Sequence, residues 1–371
     1  MTAYHIAAPA VEEAIEKFFH IQDRYLDLNL PTYIVAPRGE GDGKWLLKEG
    51  FKRLVEELRP LGYLPRLRRV TDRYSISVIT KPPHRHQRYR RDIILFAATV
   101  GTVFFSGFQM SNTRVLTRVL MPEIPVFVNA LLFTLAILGI FGLHELGHKA
   151  MTIIAGIEAS MPYFIPAPPP IGTFGAVIIQ KEPPTNRDGL FDLGFSGPLV
   201  GFLVTIVVAV IGLRLSFLVS ADDVAAWAVM FPEVTFMPTP FPLLVRALTS
   251  VVRPRGLGEV MMLHPVLYAA WVGCIVTFIN LIPSWQLDGG HMSRALVGER
   301  NQRKISVAGI VLMVLSGFYI MAVMLVFFMM RSGGESGAPL DDISPLSLSR
   351  KLLSLVYLAM IILTMVTLGP F

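Results

Sequence analysis

The chain has 371 residues, 53% hydrophobic and only 16% charged, and its 33 basic against 27 acidic residues leave a formal charge of +6. Soluble globular chains carry about 45–50% apolar and about 25% charged residues. An ordinary soluble protein is therefore excluded, and nucleic acid is not expected as a partner: the basic residues gather beside apolar blocks, as in KPPHRHQRYRRD at 81–92, where contact with lipid headgroups is reason enough.

The N-terminal stretch MTAYHIAAPAVEEAIEKFFHIQDRYL lacks the basic start and apolar centre of a secretory signal, and it is too acidic for a transit peptide. No cleaved targeting segment is expected. Apolar spacing predicts a helix over 12–26, TYIVAP (32–37) reads as a short strand, and RGEGDG as a turn. Leu47, Phe51, Leu54 and Leu58 then recur at helical spacing until Pro60 and Gly62 stop the helix. YSISVIT alternates through Tyr74, Ile76 and Val78 and reads as a strand. Residues 1–90 are expected to form a small cytosolic α+β domain, and 91–371 a membrane domain with its core at 93–330.

Six apolar runs follow, at 93–108, 126–154, 193–213, 263–282, 305–330 and 352–368. Runs of about 18 or more apolar residues are candidates for membrane helices. The expected fold is thus a polytopic α-helical membrane protein with about six transmembrane helices and a short β-strand or hairpin insertion. Lys and Arg concentrate on cytoplasmic loops. The clusters at 81–92 and at RALVGERNQRK (294–304) therefore place the N-terminus in the cytoplasm, although Arg114, Arg118, Arg253 and Arg255 then fall outside. The expected location is a prokaryotic cell membrane, crossed several times. The single cysteine, Cys274, allows no intramolecular disulfide and no CxxC pair.

The second run contains GIFGLHELGHKAMTII (139–154). Ionisable side chains inside a membrane helix are costly and mark function. His144 and His148 stand four residues apart, so their rings project from one helix face and can reach a single tetrahedral zinc ion. Glu145 lies about 100° further round the helix. It is better placed to take a proton from water at the metal than to ligate, as in HExxH metallopeptidases.

Beyond this run, the prolines of MPYFIPAPPPIG forbid helix, and GTFGAVIIQ (172–180) reads as a strand. It is either an ordinary hairpin or an exposed edge to which an extended peptide could add as a further strand. The third run contains GFSGPLVG, where Gly197 and Gly201 form a small-xxx-small pair suited to close helix packing. Ser196 has no base paired with it in sequence. A long connection, about 215–262, is expected at the outer surface.

A catalytic zinc site keeps three protein ligands and one open position. The fourth run closes with NLIPSWQLDGGH (280–291), where Pro283 breaks the helix and Gly289 and Gly290 allow a tight turn. Broken backbone at membrane depth is tolerated only inside protein or beside water, which makes Asp288 the third ligand. His291 is a rival three residues on, and His264 sits at the opposite end of its run. RSGGESGAPLDD (331–342) reads as a flexible linker.

HELGH in one membrane run, followed two runs later by Asn280, Pro283, Leu287, Asp288 and Gly289 in the pattern Asn-x-x-Pro-x-x-x-Leu-Asp-Gly, resembles the site-2 protease family of intramembrane zinc metalloproteases, peptidase family M50. GTFGAVIIQKEPPTNRDGLFDLGFSGPLVG is similar to a strand-plus-helix segment of its archaeal and plant-plastid branch. The resemblance covers 93–330. It implies one Zn2+ per chain held by His144, His148 and Asp288, with Glu145 as catalytic base and Asn280 binding the substrate backbone or steadying the oxyanion. The implied substrates are membrane proteins cut within or near transmembrane segments, as in regulated intramembrane proteolysis. Two other readings are a metal-ion transporter, which would be expected to show internal repeats, and a catalytically inactive membrane-binding homologue, which would be expected to lose the base or a ligand. The sequence shows no duplication and keeps every motif residue.

Overall fold

A computed structural model describes residues 9–39, 42–82, 89–284, 286–331 and 337–366. Part of the expected turn (40–41), much of the basic cluster (83–88), part of the linker (332–336) and the end of the sixth run (367–368) lie outside the described residues.

The N-terminal part contains α1 (Pro9–Phe18), β1 (Phe19–Asp27), β2 (Leu30–Pro37), α2 (Gly43–Leu58), β3 (Tyr63–Val70) and β4 (Arg73–Thr80). The strands form one antiparallel sheet in the order β1-β2-β4-β3. The helix expected over 12–26 ends at Phe18, and FHIQDRYLD instead pairs with β2, from Phe19 opposite Pro37 to Asp27 opposite Leu30. Its aromatic and β-branched residues suit a strand, and cross-strand pairing overrides the helical spacing of the preceding residues. Asp42 caps α2 by accepting from the Lys44 N–H. Leu47, Phe51, Leu54 and Leu58 all enter a core shared with Phe19, Tyr33, Leu64 and Ile76.

The membrane part begins with α3 (Tyr89–Ser111), a single π-helical turn (Leu116–Leu120) and α4 (Val126–Ile154). The hairpin β5 (Tyr163–Pro166) and β6 (Thr173–Val177) leads into α5 (Arg187–Leu215). Next come β7 (Phe217–Ser220), α6 (Ala221–Met230), α7 (Leu243–Val252) and β8 (Glu259–Met262), with β7 paired to β8. The chain continues through α8 (Pro265–Leu281), α9 (Asp288–Val297), α10 (Glu299–Leu315), α11 (Tyr319–Arg331) and α12 (Leu348–Thr364).

Among the described residues, α3, α4 and α5 are long and apolar enough to cross a membrane. The fourth run forms a 17-residue helix, α8, stopped where Ile282 adopts extended backbone before Pro283. The fifth run is broken into α10 and α11 at Gly317, whose φ of +84° a side chain would resist. On α4, Ala130, Phe133, Ile137 and Ile140 face the interior while Phe127, Leu131 and Leu135 are exposed, a surface matched to lipid and not to water. The protein is a membrane protein.

Helices α4, α5 and α8 pack against one another at the centre, and α9 lies on α5. The N-terminal part seats on the end of α4. Arg59 Nη1 donates to the Gly156 carbonyl at 2.8 Å, and Lys81 Nζ bridges Glu158 at 2.8 Å and Glu182 at 2.9 Å. The hydrogen bond to Glu158, with Glu182 beside it, raises the Lys81 ammonium above its usual range.

Candidate metal centre

His144 and His148 lie one turn apart on the face of α4 that meets α5, whereas Leu143 and Leu146 point outward. Asp288 opens α9, just beyond the Pro283 break. The junction is tight: a Cβ built at Gly289 would stand 2.1 Å from the Leu281 carbonyl oxygen, so only glycine lets α9 start against the end of α8. This places Asp288 beneath the two imidazoles.

The three side chains form a group able to hold a metal ion, with candidate ligand atoms all within 4.8 Å of one another. His144 Nε2 and His148 Nε2 are 3.2 Å apart. Asp288 brings Oδ2 to 3.4 Å from His144 Nε2 and Oδ1 to 3.3 Å from His148 Nε2. Tetrahedral zinc with bonds of about 2.0–2.2 Å needs corners about 3.3–3.6 Å apart, and each of these residue pairs approaches at about that spacing, so the three residues fit such an ion. His148 Nδ1 lies 2.8 Å from the Leu193 carbonyl, which can only accept, so this nitrogen carries the proton and Nε2 turns its lone pair to the group.

Space for the rings comes from α5. A Cβ at Gly197 would meet His148 Nε2 at 2.1 Å, and one at Gly201 would meet His144 Nδ1 at 3.0 Å. The small-xxx-small pair therefore brings the helices close and leaves room for the imidazoles between them. Leu193 and this cradle escape sequence reasoning: a backbone carbonyl has no residue signature, and the glycine spacing signals packing without naming what is packed.

Glu145 is outside the group, with Oε1 4.0 Å from His144 Nε2. The hairpin is docked by Thr102, whose hydroxyl donates to the Gly172 carbonyl at 2.7 Å, and by Gly175 against Phe141. Phe174, Val177 and Ile179 remain exposed along it. Asn280 stands on the last turn of α8 and is not one of the grouped side chains. His291 is not in the group either; its Cβ packs by Gly194. His264 caps the far end of α8, where Nδ1 accepts from the Val266 N–H at 3.1 Å and Nε2 donates to Asn129 Oδ1 at 3.2 Å.

A helical membrane bundle that brings a carboxylate from a second helix to the two histidines of an HExxH helix defines a class of membrane metalloprotein. The chain belongs to peptidase family M50, whose family model matches residues 132–325, just over half of its length. It is 30% identical over 200 residues to the probable zinc metalloprotease EGY2, chloroplastic, of Arabidopsis thaliana, a match covering 52% of this chain and 34% of that protein. It is 28% identical over 221 residues to the probable zinc metalloprotease EGY1, chloroplastic, of the same plant, covering 56% and 39%. A third relative, the probable zinc metalloprotease EGY3, chloroplastic, of Oryza sativa subsp. japonica, is 23% identical over 290 residues, covering 75% and 48%. The matched region thus spans between about a third and a half of the length of these relatives. No solved structure matches.

Proposed function

We propose that the protein is an intramembrane zinc metalloprotease that hydrolyses peptide bonds within or near transmembrane segments of other membrane proteins. The observation that carries this reading is the group of two imidazoles and a carboxylate, whose closest pairwise contacts are 3.2–3.4 Å, with Glu145 Oε1 4.0 Å from the nearer imidazole nitrogen. His144 and His148 through Nε2, and Asp288 through its carboxylate, would hold the ion. Zinc supplies Lewis acidity that polarises a carbonyl and activates water near neutral pH.

The remaining work falls to the chain's own groups. Glu145 takes the proton released by the attacking water and returns it to the leaving amine as the peptide bond breaks. The Leu193 carbonyl holds His148 in the tautomer that faces the ion. Asn280 binds the substrate backbone or steadies the developing oxyanion. A helical substrate must unwind before its peptide bonds can be reached. The exposed side of β6, with Phe174 and Val177, offers such a segment a strand to pair with.

The six-crossing architecture belongs to the same proposal, with α8 as the fourth crossing, α10 and α11 together as the fifth and α12 as the sixth. The metal group and the N-terminal domain lie toward one end of α4. The basic runs beside the apolar blocks support a cytoplasmic position for that end.

Glu145→Gln tests the reading. The amide keeps the size of the side chain but cannot accept the proton. Since a positioned base contributes about 100- to 10,000-fold, cleavage of a single-span substrate by purified protein should fall by at least about 100-fold with zinc content preserved. Equal cleavage by both proteins rejects the mechanism.

A further inference from the structure

Residues 337–347 form a strap between the two halves of the molecule. Leu340 is buried in the core of the N-terminal domain beside Leu67, while Leu346 is buried in the core built by α5, α8 and α12. The strap is also woven in by its backbone. Leu67 N–H donates to the Leu340 carbonyl, Leu340 N–H to Pro184 and Asp341 N–H to Thr185, each at 2.9 Å. A continuous ribbon therefore runs from β3 through the strap to Asn186, the N-cap of α5. Two further bonds grip the first turn of α5: Asp188 accepts from Lys48 of the N-terminal domain at 2.8 Å and from the Ser347 N–H at 2.8 Å.

The strap reaches the helix that carries Asp288 as well. Arg294 of α9 donates to Asp342 Oδ2 at 2.7 Å, and the two side chains are only 5% and 4% exposed. A Cβ at Gly337 would stand 2.8 Å from His291 Cε1, so the strap also lies against α9 one turn beyond Asp288. Arg187 of α5 closes the circuit by donating to the Ala295 and Leu296 carbonyls at 2.8 and 3.0 Å.

We propose that the strap and the Arg294–Asp342 pair are positioning elements through which the N-terminal domain sets the affinity of the metal centre, an inference that rests on the metal-centre reading above. Arg294 and Asp288 are six residues apart, about 9 Å along the helix axis. A tilt of about 10° pivoting at Arg294 therefore moves Asp288 by about 1.5 Å, several times the ~0.2 Å latitude of a metal–ligand bond. A buried pair of this kind is weak evidence for net stability; its role here is to fix where α9 lies. A partner that loosened the N-terminal domain would weaken metal binding without touching a ligand.

The test measures zinc affinity by chelator competition, alongside thermal unfolding, on the full-length protein in detergent. Asp342→Asn should weaken zinc binding by about 10-fold or more, at the low end of what loss of a group bonded directly to a metal ligand does. Asp342→Glu, which keeps the charge, should restore most of it. Leu340→Ala, which frees the strap at the N-terminal domain while leaving α9 untouched, should also weaken zinc. Lowered melting temperatures with unchanged zinc affinity in Asp342→Asn and Leu340→Ala overturn the proposal, leaving the strap as scaffolding. If Asp342→Asn does not fold, Leu340→Ala decides alone: weaker binding supports the proposal and unchanged binding overturns it. A wild-type protein that binds no zinc rejects the metal-centre reading itself, and this inference with it.

Discussion

Gly197→Ala is the most informative single-methyl perturbation of the centre. The added Cβ would lie 2.1, 2.4 and 2.5 Å from His148 Nε2, Cδ2 and Cε1. Comfortable heavy-atom contact is about 3.5 Å or more, so the ring or the helix must retreat by more than about 1 Å. The ring also hydrogen-bonds the Leu193 carbonyl of the same helix at 2.8 Å, so turning it away sacrifices that bond as well as the ligand geometry. Moving α5 away from α4 instead incurs an overpacking cost of about 1–3 kcal/mol, offset by about 0.5–1 kcal/mol because alanine is the better helix former. The fold should therefore survive with a modest drop in melting temperature, while zinc affinity falls by at least about 100-fold, since a ligand is displaced outright. Gly201→Ala is the matched control. Its Cβ would meet His144 Nδ1 at 3.0 Å and Cβ at 3.2 Å, a gap that a shift of a few tenths of an ångström restores. Metal content by mass spectrometry and affinity by chelator competition, measured on both variants, should rank Gly197→Ala far below Gly201→Ala. Near-normal binding in Gly197→Ala, or equal losses in the two, refutes the argument that α5 makes room for the ligand rings.

Two further outcomes separate the roles of neighbouring residues. Asp288→Ala should lose most bound zinc and His291→Ala should retain it; the reverse pattern would reassign the third ligand. Val177→Pro removes one backbone donor from β6, so turnover of a transmembrane substrate should slow several-fold with zinc content unchanged, and unaltered kinetics would reduce the hairpin to a connection.

The grouping of the three side chains was more legible in the sequence than its support. His144 and His148 declare themselves because four-residue spacing on a helix admits one reading for ring direction. Asp288 follows because a proline and two glycines mark a broken helix at membrane depth. Helix α2 was legible for the same reason of period, whereas β1 was missed because its residues continue the helical spacing of α1 and only pairing with β2 decides otherwise. The strap was taken for part of a flexible linker. Nothing local in APLDD reveals that Leu340 is buried in one core and Asp342 against Arg294, because both contacts are made to distant parts of the chain. Likewise, the fifth apolar run has the length of a membrane helix, yet its period does not disclose the left-handed turn at Gly317.

The candidate ligands come from helices that are made at different moments of synthesis. Two stand on α4, and the third opens α9 only after α5 and α8 have emerged. A nascent chain that has placed α4 alone presents a pair of imidazoles and a base without a carboxylate to complete the grip, so it has little capacity to retain metal or to cut its neighbours. Completion waits for the turn at Pro283 to dock against α5, and the strap and α12 follow later still in the chain. Competence thus arrives as a late event in biogenesis, after the bundle has closed. An enzyme of the kind proposed would be protected from premature activity by the order in which its own polypeptide is made.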